Sequence, residues 1–157
     1  MRLHIPVQVR WSDLDAYGHV NNVAVLGLLE EARIAAFWRH PDAVEQAYPT
    51  AVLDAGPGSA TVTVVAHQEI EYLQPIGHRR EPLVVELWAG RLGGASVEVC
   101  YEVTGDVDGV RTVFVLAQTT LVLLDAATGR PRRVTDAERE VWGRYAGPPV
   151  EWRRRDR

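Results

Sequence analysis

One stretch of this sequence holds a helical period for more than four turns, and most of the chain beyond it alternates with period two. From Val23 to Trp38, residues Val25, Leu28, Leu29, Ala32, Ala35 and Ala36 follow the spacing i, i+3, i+4, i+7, i+10, i+11. At a rise of about 1.5 Å per residue such a helix is roughly 24 Å long. Asn21 or Asn22 can cap its start, and Pro41 bars its continuation beyond His40. Leu26, Ile34 and Phe37 lie off the main stripe, so the helix is apolar over much of its circumference. That pattern predicts a helix wrapped by other structure.

The flanking segments read as strands. Val7, Val9 and Trp11 alternate with Gln8 and Arg10 ahead of the helix. After a loop from Pro41 to Ser59, with a short helix expected from Asp42 to Ala47, a strand runs from Ala60 to Leu73. Val62, Val64, Ala66, Ile70 and Tyr72 are assigned to one of its faces, and Thr61, Thr63, His67, Glu69 and Glu71 to the other. Leu83 to Ala89 forms the next strand, Gly93-Gly94 a tight turn, and Val97 to Val103 the fourth strand. The loop GDVDG precedes a last strand from Thr112 to Leu124. A short helical pattern from Asp136 to Tyr145 and a frayed basic end, RRRDR, complete the tail. Short turns make neighbouring strands antiparallel. The expected architecture is α+β, a five-stranded antiparallel sheet curled around one long central helix.

With 157 residues the chain suits a single domain, 1–157, with a core at about 5–135 and a tail from 136. Hydrophobic content of 46% and charged content of 24% are those of an ordinary globular protein. A net charge of −4 argues against general nucleic-acid affinity, which needs a basic face. All 17 basic residues are Arg, a pattern best read as coding bias. Glu30, Glu31 and Arg33 break the longest apolar segment, so no membrane span is expected. The N-terminal MRLHIPVQVRW lacks a signal peptide's apolar stretch, and the lone Cys100 suits a reducing compartment. A cytoplasmic location is expected, with Cys100 as a packing residue.

The chemistry concentrates in Arg10-Trp11-Ser12-Asp13-Leu14-Asp15-Ala16-Tyr17-Gly18-His19-Val20-Asn21-Asn22. Two carboxylates stand two residues apart just before a helix start. Exposed backbone N–H groups there favour negative charge and can hold an oxyanion. A carboxylate beside an oxyanion site is what carbonyl hydrolysis requires. By spacing alone, capping or plain surface charge is the better explanation of the pair.

The wording of the segment adds to this. DLDAYGHVNN followed by a helix containing LLEEAR resembles the start of the 4-hydroxybenzoyl-CoA thioesterase family of the hotdog superfamily. EIEYLQPIGHRREPLVVELWAGRLGGASVEVCYEV and TLVLLDAATGRPRRV are similar to the same family, so the likeness covers most of residues 5–135. It implies hydrolysis of acyl-CoA or a related acyl thioester by a homodimer or homotetramer, with active sites at subunit interfaces. Asp15 takes the catalytic position, as nucleophile or as general base on water. The Asn22 N–H takes the place of the carbonyl-polarising group, with Gly18 and His19 beside it on the substrate. Asp13 is read as a turn and capping residue. His19 can be a general base or a hydrogen-bonding loop residue, and the second reading is preferred.

Val65, Ala66 and His67 fall on the strand that lines the family's substrate pocket, although a half-buried strand histidine is an ordinary feature. Arg91 is favoured over Arg79, Arg80, Arg130, Arg132 and Arg133 as the contact to coenzyme phosphates. No metal and no cofactor are expected, coenzyme A being part of the substrate. Val25 stands where the family commonly has an aromatic residue. Gly27 interrupts good helix formers at about 1 kcal/mol and leaves room for an acyl chain or for close helix packing. Two rival readings are a hydratase or dehydratase of acyl thioesters, which needs a His–carboxylate pair, and a non-catalytic acyl-thioester-binding protein.

Overall fold

The computed structural model describes residues 1–153. Strand β1 (Leu3–Val7) comes first, then a single 3₁₀ turn (Trp11–Asp13) and helix α1 (Asn22–Phe37). Strands β2 (Thr61–Tyr72), β3 (Leu83–Leu92), β4 (Ser96–Val107) and β5 (Val110–Asp125) follow, and helix α2 (Asp136–Gly143) closes the order. The strands form one antiparallel sheet in the order β1-β3-β4-β5-β2. The fold is therefore α+β, a five-stranded antiparallel sheet with two helices.

Helix α1 starts where an asparagine can satisfy an orphan amide: the Asn21 side chain accepts a hydrogen bond from the Val23 N–H at 2.9 Å. It ends as Trp38 turns to extended backbone, before Pro41 is reached. The stripe Val25, Leu28, Leu29, Ala32, Ala36 and Phe37 is buried in one core with Leu87, Val97, Val99, Tyr101, Leu121 and Leu123 from the sheet. Val23, Gly27, Glu30, Glu31, Ile34 and Ala35 stay exposed. The expected wrapping thus needs correction. The 16-residue helix lies on one sheet face, and its opposite side is open in the single chain.

Several boundaries differ from the sequence reading for local reasons. The first strand ends at Val7; Val9 stays buried, but Trp11 enters the 3₁₀ turn and is 74% exposed. No helix forms over 42–47, which is turn and bend. GDVDG closes as a tight hairpin, with Asp108 and Gly109 at φ +52° and +80°, the positive pair that matches strand twist in a two-residue turn. In β2 the register shifts between Val65 and His67, which makes Ala66 a bulge. Parity flips there. Thr63 and Val65 face inward opposite the buried Leu123 and Leu121, and Ile70 faces inward opposite Ala117, while Val62, Val64 and His67 point to the outer face. The single-face assignment of Val62 and Val64 with Ile70 and Tyr72 fails for this reason, since simple alternation cannot register an inserted residue.

The tail is built into the structure. Trp142 of α2 is fully buried edge-on to Phe37, and its indole N–H donates to the Thr50 carbonyl at 3.1 Å. Beyond α2 the chain crosses the outer sheet face. Gly147 N–H bonds to the Ala89 carbonyl, Trp88 Nε1 donates to the Pro148 carbonyl at 2.7 Å, and Arg153 N–H reaches Glu71. Val150 closes a second small core over Trp88, Cys100 and Leu116. Burial, with Glu98 nearby, pushes the Cys100 thiol up to about 11, as befits a packing residue. All but Arg153 of the basic end lies outside the described residues.

Helix α2 begins with a reciprocal cap. Thr135 Oγ1 accepts from the Glu138 N–H, and Glu138 accepts from the Thr135 N–H while pairing with Arg132 at 2.6 Å. Burial raises the Glu138 carboxyl, but the bonds from Arg132 and Thr135 outweigh it and hold the group below its ordinary value. A carboxyl lowered in the folded state stabilises above the unfolded value and loses that contribution as pH falls through the folded one. Glu138→Gln should therefore cost about 1–3 kcal/mol at pH 7. In urea denaturation, the gap to wild type should shrink below about pH 4. A gap that widens on acidification would refute this assignment.

Candidate active site

The Asp13–Asn22 segment folds as a miniature hairpin tied to the helix start. Leu14 and Val20 form an antiparallel bridge, the Asp15 N–H donates to the His19 carbonyl at 2.7 Å, and the Asn21 N–H donates to the Asp13 carbonyl at 2.7 Å. Gly18 turns the tip at φ +75°, a region that residues with a Cβ enter at a cost. A second loop braces the first: Val20 N–H bonds to the Ile76 carbonyl, and His19 bridges Gly77.

The two carboxylates have different surroundings. Asp13 is 4% exposed and caps the 3₁₀ turn, accepting the Arg10 N–H at 2.7 Å and the Arg10 guanidinium at 2.8 Å. Those bonds hold its carboxyl below the ordinary range despite burial. Asp15 is half-buried. Its Oδ1 accepts the main-chain N–H groups of Tyr17 at 2.8 Å and His19 at 3.1 Å. Oδ2 has no hydrogen-bond partner among the described residues. One oxygen anchored by two amides and one left over is a carboxylate that is oriented yet still able to attack or to accept a proton.

Asn22 is the first residue of α1, where amides lack intrahelical partners, and the capping bond of Asn21 goes to Val23 instead. The Asn22 N–H has no partner among the described residues and can polarise a carbonyl oxygen. Its own carbonyl accepts the Tyr72 hydroxyl at 3.3 Å, which ties the end of β2 to the helix start. A cavity of about 310 Å³ beside this point is lined by His19, Val20, Val25, Tyr72, Gln74 and Pro75. Gly18 and His19 thus share the Asp15 loop, and Asn22 follows it directly.

The other sequence candidates lie elsewhere in the single chain. Val65 lines a separate cavity of about 320 Å³ between α1 and β2, Ala66 forms the bulge, and His67 is turned outward. Arg91 sits exposed at the far end of β3, about 26 Å along the strand from Leu83, which pairs with Val7 next to the loop. Gly27 lines a groove of about 400 Å³ between α1 and β1, with nothing within 4 Å of the position a Cβ would take. Close helix packing therefore does not explain it within the chain. Sequence reading missed Tyr72 as a neighbour of the helix start, and Trp11, whose ring stacks on His78 at 3.7 Å. No spacing rule joins residues 50 or more positions apart, so neither contact had a sequence signal. Among the described residues no group of three or more His, Cys, Asp or Glu could hold a metal ion, and no helix is long and apolar enough to cross a membrane.

The five-stranded antiparallel sheet with α1 on one face is consistent with the hotdog fold of thioester hydrolases. The chain belongs to the thioesterase-like superfamily, whose family model matches residues 9–141. Among solved structures it is similar to a thioesterase of Thermus thermophilus, complexed with coenzyme A and zinc, at 32% identity and a TM-score of 0.65, covering 88% of this chain and 94% of that one. It is similar also to the PA2801 protein of Pseudomonas aeruginosa, at 33% identity and a TM-score of 0.67, covering 88% and 95%. YbaW of Escherichia coli matches at 26% identity and a TM-score of 0.65, covering 92% and 98%. No protein of curated function matches the sequence.

The loop geometry makes Gly18 a sensitive position. Space is open around it, so Gly18→Ala introduces no clash and only the strain of positive φ, about 1–2 kcal/mol. Thermal melts should show Gly18→Ala destabilised and Gly18→Asn less so, since Asn tolerates this region better. An alanine variant that melts with wild type would contradict the described turn.

Proposed function

We propose that this protein hydrolyses acyl-CoA thioesters, with Asp15 as the catalytic carboxylate and the Asn22 N–H as oxyanion donor. The observation that carries the reading is the Asp15 side chain, held by two main-chain amides through Oδ1 with Oδ2 left open. In one route Oδ2 attacks the thioester carbonyl carbon. The resulting oxyanion lies against the helix start, the C–S bond breaks, the thiolate leaves and takes a proton from water, and water then cleaves the mixed anhydride. In the other route Asp15 removes a proton from water, which attacks the same carbon, and the proton passes to the departing thiolate. The similar Thermus thermophilus structure, complexed with coenzyme A, favours coenzyme A as the carrier. Asp13 serves the turn. Neither route draws on a resident cofactor or metal, and the lone buried thiol suits a reducing cytoplasm.

The rival hydratase chemistry needs a carboxylate and an imidazole in contact. The Asp15 carboxylate accepts the main-chain N–H of His19 and the Asp15 N–H donates to the His19 carbonyl, with no carboxylate–imidazole bond among the described residues. Hydrolysis is the better fit. A non-catalytic binder would have no use for an anchored carboxylate at this point.

The assembly follows from the sheet's edges. β1 is short and contains Pro6, whereas β2 offers a 12-residue edge on which Val62, Val64 and Val65 are 41–47% exposed. Two copies paired antiparallel along β2 would cover that edge. The start of β2 in one copy would then lie beside the end of β2 in the other, and hence beside that copy's helix start, to which Tyr72 is bonded. The Val65 cavity of one subunit would face Asp15 of the partner subunit. Light scattering at micromolar concentration should report at least a dimer, and Val64→Arg should shift it toward monomer. A wild-type monomer would remove this arrangement.

The catalytic assignment is tested by thiol release from protein dialysed against a chelator. Wild type should keep its turnover. Asp15→Asn should lose about 10²–10⁴-fold, in kcat far more than in KM. Asp13→Asn should act chiefly on the melting temperature. Near wild-type kcat in a folded Asp15→Asn protein would show that the carboxylate is not catalytic.

A further inference from the structure

The cavity between α1 and β2 contains a charge that the hydrolytic machinery does not use. Arg33 is 5% exposed, on the helix side that faces the sheet, and it lines this cavity with Ile34, Trp38, Thr63, Val65 and Leu121. Its one hydrogen bond among the described residues runs from Nη1 to the Tyr101 hydroxyl at 3.3 Å. The nearest carboxylate, Glu30, stands 3.9 Å away and is 63% exposed. A guanidinium has five N–H donors in a rigid fork. Here one is engaged, weakly, by a neutral phenol, and the opposing charge is solvated and distant. No fully buried side-chain nitrogen or oxygen among the described residues lacks a partner, so Nε and Nη2 keep contact with solvent in the cavity, where a ligand's acceptor can replace water.

We infer that Arg33 recognises a carboxylate at the far end of the acyl chain, so that the preferred substrates are ω-carboxyacyl thioesters. The inference rests on the thioesterase reading and the paired-edge arrangement above, and names the substrate class of that site. The cavity walls are apolar along Ile34, Trp38, Val65 and Leu121, as a methylene chain requires, and the fork lies among them. A carboxylate can take two parallel N–H bonds from it in surroundings drier than those of Glu30. Glu30 also lines the cavity and opposes a second negative charge, but its own carboxylate is mostly in water, where a pair at 3.9 Å contributes little and repulsion is screened. Two charged groups thus face the incoming carboxylate, Arg33 in favour and Glu30 weakly against, while the fully buried Tyr101 hydroxyl stays behind Arg33 and accepts its Nη1 bond.

The test compares chain-matched substrates, hexanoyl-CoA and its ω-carboxy counterpart adipoyl-CoA, on wild type, Arg33→Gln and Arg33→Lys, each checked by thermal melt. Wild type should show kcat/KM at least about tenfold higher for adipoyl-CoA, the scale of one charge-assisted pair. Arg33→Gln should erase or invert that ratio, because it loses more on adipoyl-CoA than on hexanoyl-CoA. Arg33→Lys, with charge but no fork, should fall between. Measurable turnover of hexanoyl-CoA by wild type that equals or exceeds that of adipoyl-CoA overturns the inference, as does an Arg33→Gln variant that loses both substrates equally.

Binding of the matching non-hydrolysable thioethers, hexyl-CoA and 5-carboxypentyl-CoA, to wild type by calorimetry tests the same preference without catalysis and without a variant. Tighter binding of the carboxylated thioether supports the inference even if no thioester is cleaved, in which case the hydrolase reading alone falls. Equal binding overturns the inference and leaves the hydrolase reading intact.

Discussion

Burial of one helical stripe against the inner face of the sheet organises nearly everything else in this molecule. Val25, Leu28, Leu29, Ala32 and Ala36 supply the apolar surface that α1 removes from water, and the sheet answers with Leu87, Val97, Val99, Leu121 and Leu123. Each large aliphatic side chain moved from water into such a core contributes about 1.5–3 kcal/mol, far more than any one surface ion pair. Small residues at Ala32 and Ala36 let the helix sit close. Where the helix sits determines where its first turn projects, and the proposed site lies at that turn. The Asp15 hairpin could form no useful site if the helix it abuts were free to rock.

The same contact explains why Arg33 is unusual. A helix laid on one face of a sheet has an open side for charge, and Glu30 and Glu31 use it. Arg33 instead falls on the covered side, one position beyond Ala32, and its long stem reaches Tyr101. Its aliphatic portion can pack like the neighbouring apolar residues while its head needs a polar partner. The sheet supplies that partner only in part.

Much of this was legible in the sequence. The helix boundaries and the four later strands could be read from periodicity, because burial on one face imposes a period of 3.6 or 2 whatever the partner, whereas the first strand lies at Leu3–Val7, ahead of the Val7–Trp11 alternation expected to form it. The Asp13–Asn22 segment stood out through its turn and capping residues, and the helix does begin there. What escaped reading were the events that periodicity averages over. Ala66 adds one residue to β2 and reverses the faces before it, so Val62 and Val64 look like core in sequence and are surface in structure. Trp11 looks like the next inward residue of β1, yet the Arg10–Asp13 cap pulls the chain into a 3₁₀ turn and leaves the ring stacked on His78. Tyr72 meets Asn22 across 50 positions of chain. The open flank of α1 was hidden too, since composition cannot tell a helix surrounded by its own chain from one whose far side is bare.

The segment beyond α2 has a bearing on how copies of this protein can stack. A bare antiparallel sheet offers its outer face as a plane on which another sheet can lie. Here Pro148 and Val150 sit over Trp88 and Cys100, while Arg2, 4.0 Å from the Trp88 ring, joins Glu86, Glu102 and Arg111 in a charged cluster next to them. That part of the plane is roofed by Pro148 and Val150 and bordered by ion pairs that would lose their water under a second sheet. Back-to-back growth through that part of the face would first require peeling off Val150 and opening the Trp88–Pro148 bond. Contact between copies through that part of the face would therefore cost more than contact through the helix layer or the strand edges.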